Sequence, residues 1–138
     1  MASDGPPHSS DLRRRLGVAG ELLARRHLEA RGLRVLDANF RTRHGELDLV
    51  ATDDRRLVFC EVKTRMVASS AAVDSGELGP FAAIGAQKRR KLRRMAREWL
   101  AQAEREGSWW PELRFDAIGI EVDRRGRLLR LDHLEGAF

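Results

Sequence analysis

The sequence predicts a single domain in which a mixed β-sheet is covered by helices, an α/β or α+β architecture in the order helix, three strands, helix, two strands. Three observations carry this. Leu12, Leu16, Ala19, Leu22, Leu23 and Leu28 recur at threes and fours, as do Leu92, Met95, Ala96, Trp99, Leu100 and Ala103, so two amphipathic helices are expected. Between and after them lie short runs rich in Val, Leu, Ile and Phe, separated by turns bearing Asp, Asn and Gly. Finally, 138 residues suit one domain and suffice to enclose a core.

The first ten residues are rich in Gly, Pro and Ser and predict a disordered tail ahead of a domain spanning 11–138. The first helix starts with Asp11 as N-cap and stops at Gly32. Gly17 and Gly20 lower its propensity, which suggests close approach to another element or to a ligand. Leu33–Phe40 reads as a first strand, with Asn39 marking a turn, and Gly45–Ala51 as a second. Asp53-Asp54-Arg55-Arg56 makes a polar turn, so Leu57–Thr64 follows as an antiparallel partner. Residues 66–80 have no periodicity and predict a mobile loop. Helix resumes near Phe81–Ile84 and is clear from Gln87 to Glu106. Strands at Leu113–Asp123 and Leu128–Leu134 close the domain.

Charge narrows the class of partner. Net charge is +5, and of 26 Lys and Arg only Lys63, Lys88 and Lys91 are lysines, leaving 23 arginines. Guanidinium forks pair well with phosphates, so a polyanionic partner is favoured. A GC-rich genome also inflates arginine, which makes the three lysines the more informative. Cys60 is the only cysteine, which excludes an internal disulfide and points to a reducing compartment. No apolar run approaches the roughly 20 residues of a membrane-spanning helix, and the N-terminus lacks the apolar stretch of a signal peptide, so a cytoplasmic protein without membrane contact is expected.

The chemistry concentrates in HGELDLVATDDRRLVFCEVKTR, residues 44–65. Alternation along a strand puts Glu46 and Asp48 on one face, with Leu47, Leu49 and Ala51 on the other. It likewise gives Glu61 and Lys63 the face of Leu57 and Phe59. Pairing across the Asp53–Arg56 turn would bring Asp48 close to Glu61. Close carboxylates need a shared proton, paired cations or a metal. Hard divalent cations take one or two carboxylates together with water and phosphate oxygens. A lysine beside them would suit phosphodiester hydrolysis. The competing reading is an exposed hairpin edge whose alternating charges oppose aggregation.

GELDLV, a turn, and then LVFCEVKTR resembles the signature of the YraN family, small bacterial proteins that look like members of the PD-(D/E)xK nuclease superfamily, with Holliday junction resolvases as relatives in fold. The resemblance covers roughly residues 11–123 and includes Gly17-x-x-Gly20-Glu21, Asn39, a helix with Lys88, and Arg114-Phe115-Asp116. It implies an α/β, restriction-endonuclease-like core in the order α-β-β-β-α-β-β, Mg²⁺ or Mn²⁺ as cofactor, and nucleic acid, DNA in preference to RNA, as partner. The resolvase likeness also implies a homodimer. By residue, it matches Asp48 to the metal-binding aspartate, Glu61 and Lys63 to the (D/E)xK pair, and Glu21 to the acidic residue that the first helix contributes. Gly20 would then let backbone and water come near. Gln87 or Lys88 would face the substrate phosphate. Leu47 replaces the proline of the superfamily name and Cys60 the usual valine; neither carries chemistry.

Glu46, on the face of Asp48, is a candidate ligand, a supporting group, or a partner for Arg43 or Arg65. His44 is a weaker candidate for phosphate contact or proton transfer. Arg41, Arg43 and Arg65 flank the motif as candidate phosphate contacts, and Gln87, Lys88 and Lys91 join them from the second helix. Trp109 and Trp110 would either stack on bases or staple the helix end to the sheet, and Asp116 is expected to pair with a buried arginine. Two alternatives to a nuclease follow from the same residues: a non-catalytic nucleic-acid-binding module of nuclease fold, and a protein whose basic helix docks an acidic partner.

Overall fold

The computed structural model describes residues 9–68 and 85–137. Its elements run α1 (Ser9–Ala30), β1 (Arg34–Thr42), β2 (Gly45–Thr52), β3 (Arg56–Met66), α2 (Ala86–Arg105), β4 (Glu112–Val122) and β5 (Leu128–Leu134). The expected order holds, and the architecture is an α/β core of the restriction-endonuclease-like kind. Helix α1 begins earlier than expected: Asp11 lies in its first turn, where a carboxylate favours the helix dipole, and is not its cap. It stops on Gly32 at φ +84, as glycine permits, with Leu33 N–H donating to the Leu28 carbonyl at 3.0 Å. Of the expected loop, Met66 still belongs to β3 and Val67 N–H donates to Val122 O at 2.8 Å. Residues 69–80, the helical start expected near Phe81–Ile84 and the first eight residues lie outside the described residues.

One five-stranded sheet has the order β1-β2-β3-β4-β5. Neighbours are antiparallel except β3 and β4, which run parallel because α2 carries the chain back between them. The β2–β3 hairpin is built as its polar residues demand. The Asp53 carboxylate accepts from the N–H groups of Arg55 and Arg56 at 3.1 and 2.7 Å, Thr52 Oγ1 donates to Arg56 O at 2.7 Å, and Asp54 adopts φ +74.

The sheet is covered on both faces. On one, Ala24 and Leu28 of α1 pack against Leu49, Ala51, Val58, Cys60, Ile118 and Ile120. On the other, Leu92, Met95, Ala96 and Trp99 of α2 pack against Leu47, Val50, Leu57 and Phe59. Phe59 anchors this second layer, stacking on Phe115 at 5.3 Å and meeting Trp99 edge-on at 5.9 Å. Trp99 Nε1 donates to Asp37 at 2.9 Å, so the indole is satisfied while nearly buried. Trp110 continues the staple against Trp99 at 5.7 Å, whereas Trp109 is 74% exposed.

Strict alternation fails at one level of the sheet. Leu47 does not share the face of Leu49 and Ala51: it joins Phe40 in the α2 layer, while Ala38 and Leu49 lie in the α1 layer. Ala38 pairs with Leu49 and Phe40 with Leu47, so the phase changes in both strands between those rungs, at Asn39 and Asp48. Asn39 adopts φ +55, a left-handed conformation that asparagine tolerates and that re-aims the chain beyond it.

Candidate active site

The phase change coincides with a fork in the sheet. The last rung between β2 and β3 is Leu49↔Cys60. Beyond it β2 stays with β1 down to Gly45, while β3 stays with β4 out to Met66. Asp48 and Glu61 are the first residues past that rung, where both strands shed their mutual hydrogen bonds. Asp48 reaches across the opening, its Oδ2 accepting from Val62 N–H at 2.8 Å. A carboxylate thus replaces the backbone partner that Val62 would otherwise lack.

Electrostatics at the fork are unfavourable for two ionised acids. Burial pushes the Asp48 carboxyl up to about 7, Glu61 beside it adds both charge repulsion and a hydrogen bond, and Glu46 contributes further; only the Val62 N–H opposes them. Glu61, whose side chain is 12% exposed, also receives the ammonium of Lys88 at 2.9 Å from the first turn of α2. Lys63 is exposed and forms no ion pair among the described residues. A free ammonium and a carboxylic acid near neutral pH therefore stand at the same strand ends.

Two clefts adjoin the fork. A cleft of about 630 Å³ lies on the α1 side and takes in Asp48, Lys63, Glu21 and Arg41. A cleft of about 360 Å³ lies on the α2 side and takes in Glu61, His44, Gln87, Lys88 and Lys91. Glu46 lines both. Glu21 is held in place by Asn39, whose amide donates to it at 2.7 Å. The left-handed Asn39 therefore both redirects β1 and positions the helix carboxylate. Arg41 sits 3.5 Å from Glu46 with its side chain 87% exposed.

The remaining flanking arginines lie elsewhere. Arg43 points its guanidinium at His44 and lines neither cleft. Arg65 is held by Glu121 of β4 at 2.8 Å and likewise lies outside both. Gly20 does not open space for a ligand: a Cβ there would run into the Thr64 side chain, so this glycine lets α1 sit on β3. Gly17 is the open one, with nothing within 4 Å of a Cβ and a place on the α1-side cleft. Arg13 and Arg14, which composition alone did not single out, line the same cleft. Counting back by threes and fours from Glu21 through Gly17 reaches them, so helical spacing held the signal.

Cys60 is not a nucleophile; burial, with the nearby Asp116, Asp48 and Glu61 charges, pushes its thiol well up. Asp116 meets its expected arginine: Arg114 Nε and Nη2 both donate to it at 2.9 Å. His133 Nε2 lies 2.8 Å from its other side and Gly136 N–H donates at 3.1 Å. Fully buried, it anchors β5 and the end of the chain to β4.

Among the described residues no group of three or more Asp, Glu, His or Cys side chains is arranged to hold a metal ion. The donors at the fork are two neighbouring carboxylates, of Asp48 and Glu61. That set fits a hard divalent ion that brings water and phosphate oxygens with it, and not one needing an all-protein cage.

The chain matches the family model "Uncharacterised protein family UPF0102" over residues 20–120. It is 45% identical over 123 residues to a UPF0102 protein of Mycobacterium avium (strain 104), covering 88% of each chain. A UPF0102 protein of Parafrankia sp. (strain EAN1pec) is 42% identical over 124 residues, covering 90% of this chain and 96% of its own. One of Mycobacterium tuberculosis (strain ATCC 25618 / H37Rv) is 42% identical over 125 residues, covering 88% and 90%. The match spans both strands of the fork, the helix that supplies Lys88 and most of β4, and on it the chain belongs to the UPF0102 family, which is the YraN family.

Proposed function

We propose that the protein is a metal-dependent endonuclease that hydrolyses phosphodiester bonds in nucleic acid, DNA being favoured by its likeness to the PD-(D/E)xK superfamily. The observation that carries this reading is the fork itself. It gives up sheet pairing to bring Asp48 against Glu61, and it leaves Lys63 unpaired at the mouth of a cleft with arginines on its rim. An edge charged only to oppose aggregation would keep its acids in solvent, whereas the Glu61 side chain is 12% exposed.

Asp48 and Glu61 would hold Mg²⁺ or Mn²⁺, with Glu46 at the shared wall of the two clefts. When bound, such a cation supplies Lewis acidity toward water and offsets charge on the phosphate. Lys63, as an ammonium, orients the attacking water and donates to the phosphate oxygens on which charge builds. Glu21, held by Asn39, would accept a proton from that water. Water attacks phosphorus as its proton passes to Glu21, the bond to the leaving ester oxygen breaks, that oxygen takes a proton from solvent, and no covalent enzyme intermediate forms. Arg41, Gln87, Lys88 and Lys91 contact flanking phosphates.

One observation favours a second reading, a binding module of nuclease fold: Lys88 already neutralises Glu61 at 2.9 Å, so half of the acidic pair is satisfied without a metal. Labelled single-stranded, duplex, flap and four-way-junction DNA, incubated with Mg²⁺, Mn²⁺ or chelator, separates the two. A nuclease cuts only with metal and loses activity in Asp48→Ala and in Lys63→Ala. Salt-sensitive binding without cutting, unchanged in both variants, would establish the module instead.

A further inference from the structure

The two carboxylates that face each other at the fork open onto opposite sides of the sheet. Asp48 lines the α1-side cleft and Glu61 the α2-side cleft, and Glu46 belongs to both, so the clefts meet at the fork. Each has its own basic wall. Arg13 and Arg14 supply it on α1, while Lys88 and Lys91 supply it one helix away on α2. A backbone that touches both walls and both carboxylates must cross the sheet at the fork where β2 and β3 separate.

We infer that the substrate is a single strand, or a locally unpaired segment, threaded from one cleft to the other, with the scissile phosphate at the fork. This rests on the nuclease reading and adds the class of substrate to it. Duplex DNA resists so tight a turn, since its persistence length is about 150 base pairs. A single strand turns freely at each phosphate. The cleft volumes, about 630 and 360 Å³, accommodate a few nucleotides of one strand and not the breadth of a double helix. Arg13 and Arg14 then hold phosphates on one side of the scissile bond, and Lys91 holds them on the other. Gly17, open above the α1-side cleft, gives the strand its clearance.

Binding in chelator, where nothing is cut, tests the path. Fluorescence anisotropy is followed against salt for a single strand, the duplex of the same sequence, and that duplex carrying an unpaired flap. The single strand and the flap are expected to bind roughly tenfold or more tighter than the plain duplex, the bending penalty read as an affinity ratio. The salt slope should fall by about 0.7 for each phosphate that Arg13→Gln, Arg14→Gln or Lys91→Gln releases. Single methylphosphonate replacements walked along the strand then locate the phosphates each side chain holds. Arg13→Gln and Lys91→Gln should become insensitive to replacements on opposite sides of a common central phosphate. Duplex bound as tightly as single strand, or both variants releasing the same phosphates, overturns the path while leaving the nuclease reading intact. No salt-sensitive binding of any nucleic acid overturns both.

Discussion

Asp48→Asn tests the electrostatics of the fork without disturbing its shape. Asparagine keeps an acceptor for Val62 N–H and offers Glu61 a donor, much as the protonated acid does. In the wild type the Asp48 carboxyl rises from an ordinary 3.8 to about 7 on folding, through burial and then through Glu61. The folded state therefore binds an extra proton between those pH values, and stability must fall as pH rises through that window. The full penalty is present above pH 7. Roughly three pKa units at 1.36 kcal/mol each set a ceiling of about 4 kcal/mol. The carboxyl is partly solvated, so about 2 kcal/mol is the realistic size. The asparagine side chain cannot ionise, and its contribution is flat with pH. In chelator at pH 8 the variant should unfold in urea with about 1–2 kcal/mol more stability than wild type, and the difference should shrink toward pH 5. Mg²⁺ or Mn²⁺ at pH 8 should stabilise the wild type as RT ln(1 + [M]/Kd) and leave the variant unmoved. A variant less stable than wild type at pH 8, or a difference independent of pH, would refute the reasoning.

Further outcomes follow from single side chains. Gly20→Ala should cost about 1–3 kcal/mol by thermal unfolding, because its Cβ meets Thr64, whereas Gly17→Ala should be neutral or stabilise by up to about 1 kcal/mol while weakening nucleic-acid binding. Arg114→Ala should cost about 3–5 kcal/mol in urea unfolding at pH 7, since it strands the fully buried Asp116. The Asp116 carboxyl is held low; burial works against this, but hydrogen bonds from His133, Arg114 and Gly136 N–H outweigh it. Its stabilisation should thus be present above the ordinary carboxylate range and be lost as pH falls below it, a loss that acid titration of an Asp116→Asn variant should lack. Lys88→Met should leave Glu61 without its cation, and divalent-ion binding measured by calorimetry should tighten. An unchanged or weaker affinity would show that Lys88 does not compete for that carboxylate.

What the sequence determined by itself was local. Helical periodicity placed α1 and α2 to within two residues of their observed bounds where these are described, and β-branched runs with Asp- and Gly-bearing turns placed all five strands. Hairpin length brought Asp48 opposite Glu61, because pairing across a short turn leaves few registers. That Asp116 takes an arginine was legible too, and Arg114 stands two residues away on its strand face. Tertiary structure decided what depends on departures from regularity. Alternation predicted one face for Leu47, Leu49 and Ala51, but Leu47 turns to the other, and on the paired strand the left-handed Asn39 makes the matching change between Ala38 and Phe40. The fork was hidden for a related reason: which strand keeps its partner past Leu49↔Cys60 depends on β1 and β4, far away in sequence. The division of the site into two clefts, Arg13 and Arg14 on one and Lys91 on the other, exists only once two helices lie on opposite faces of one sheet. Side-chain period is a property of a segment, whereas the clefts belong to the packing of segments that the chain brings together only on folding.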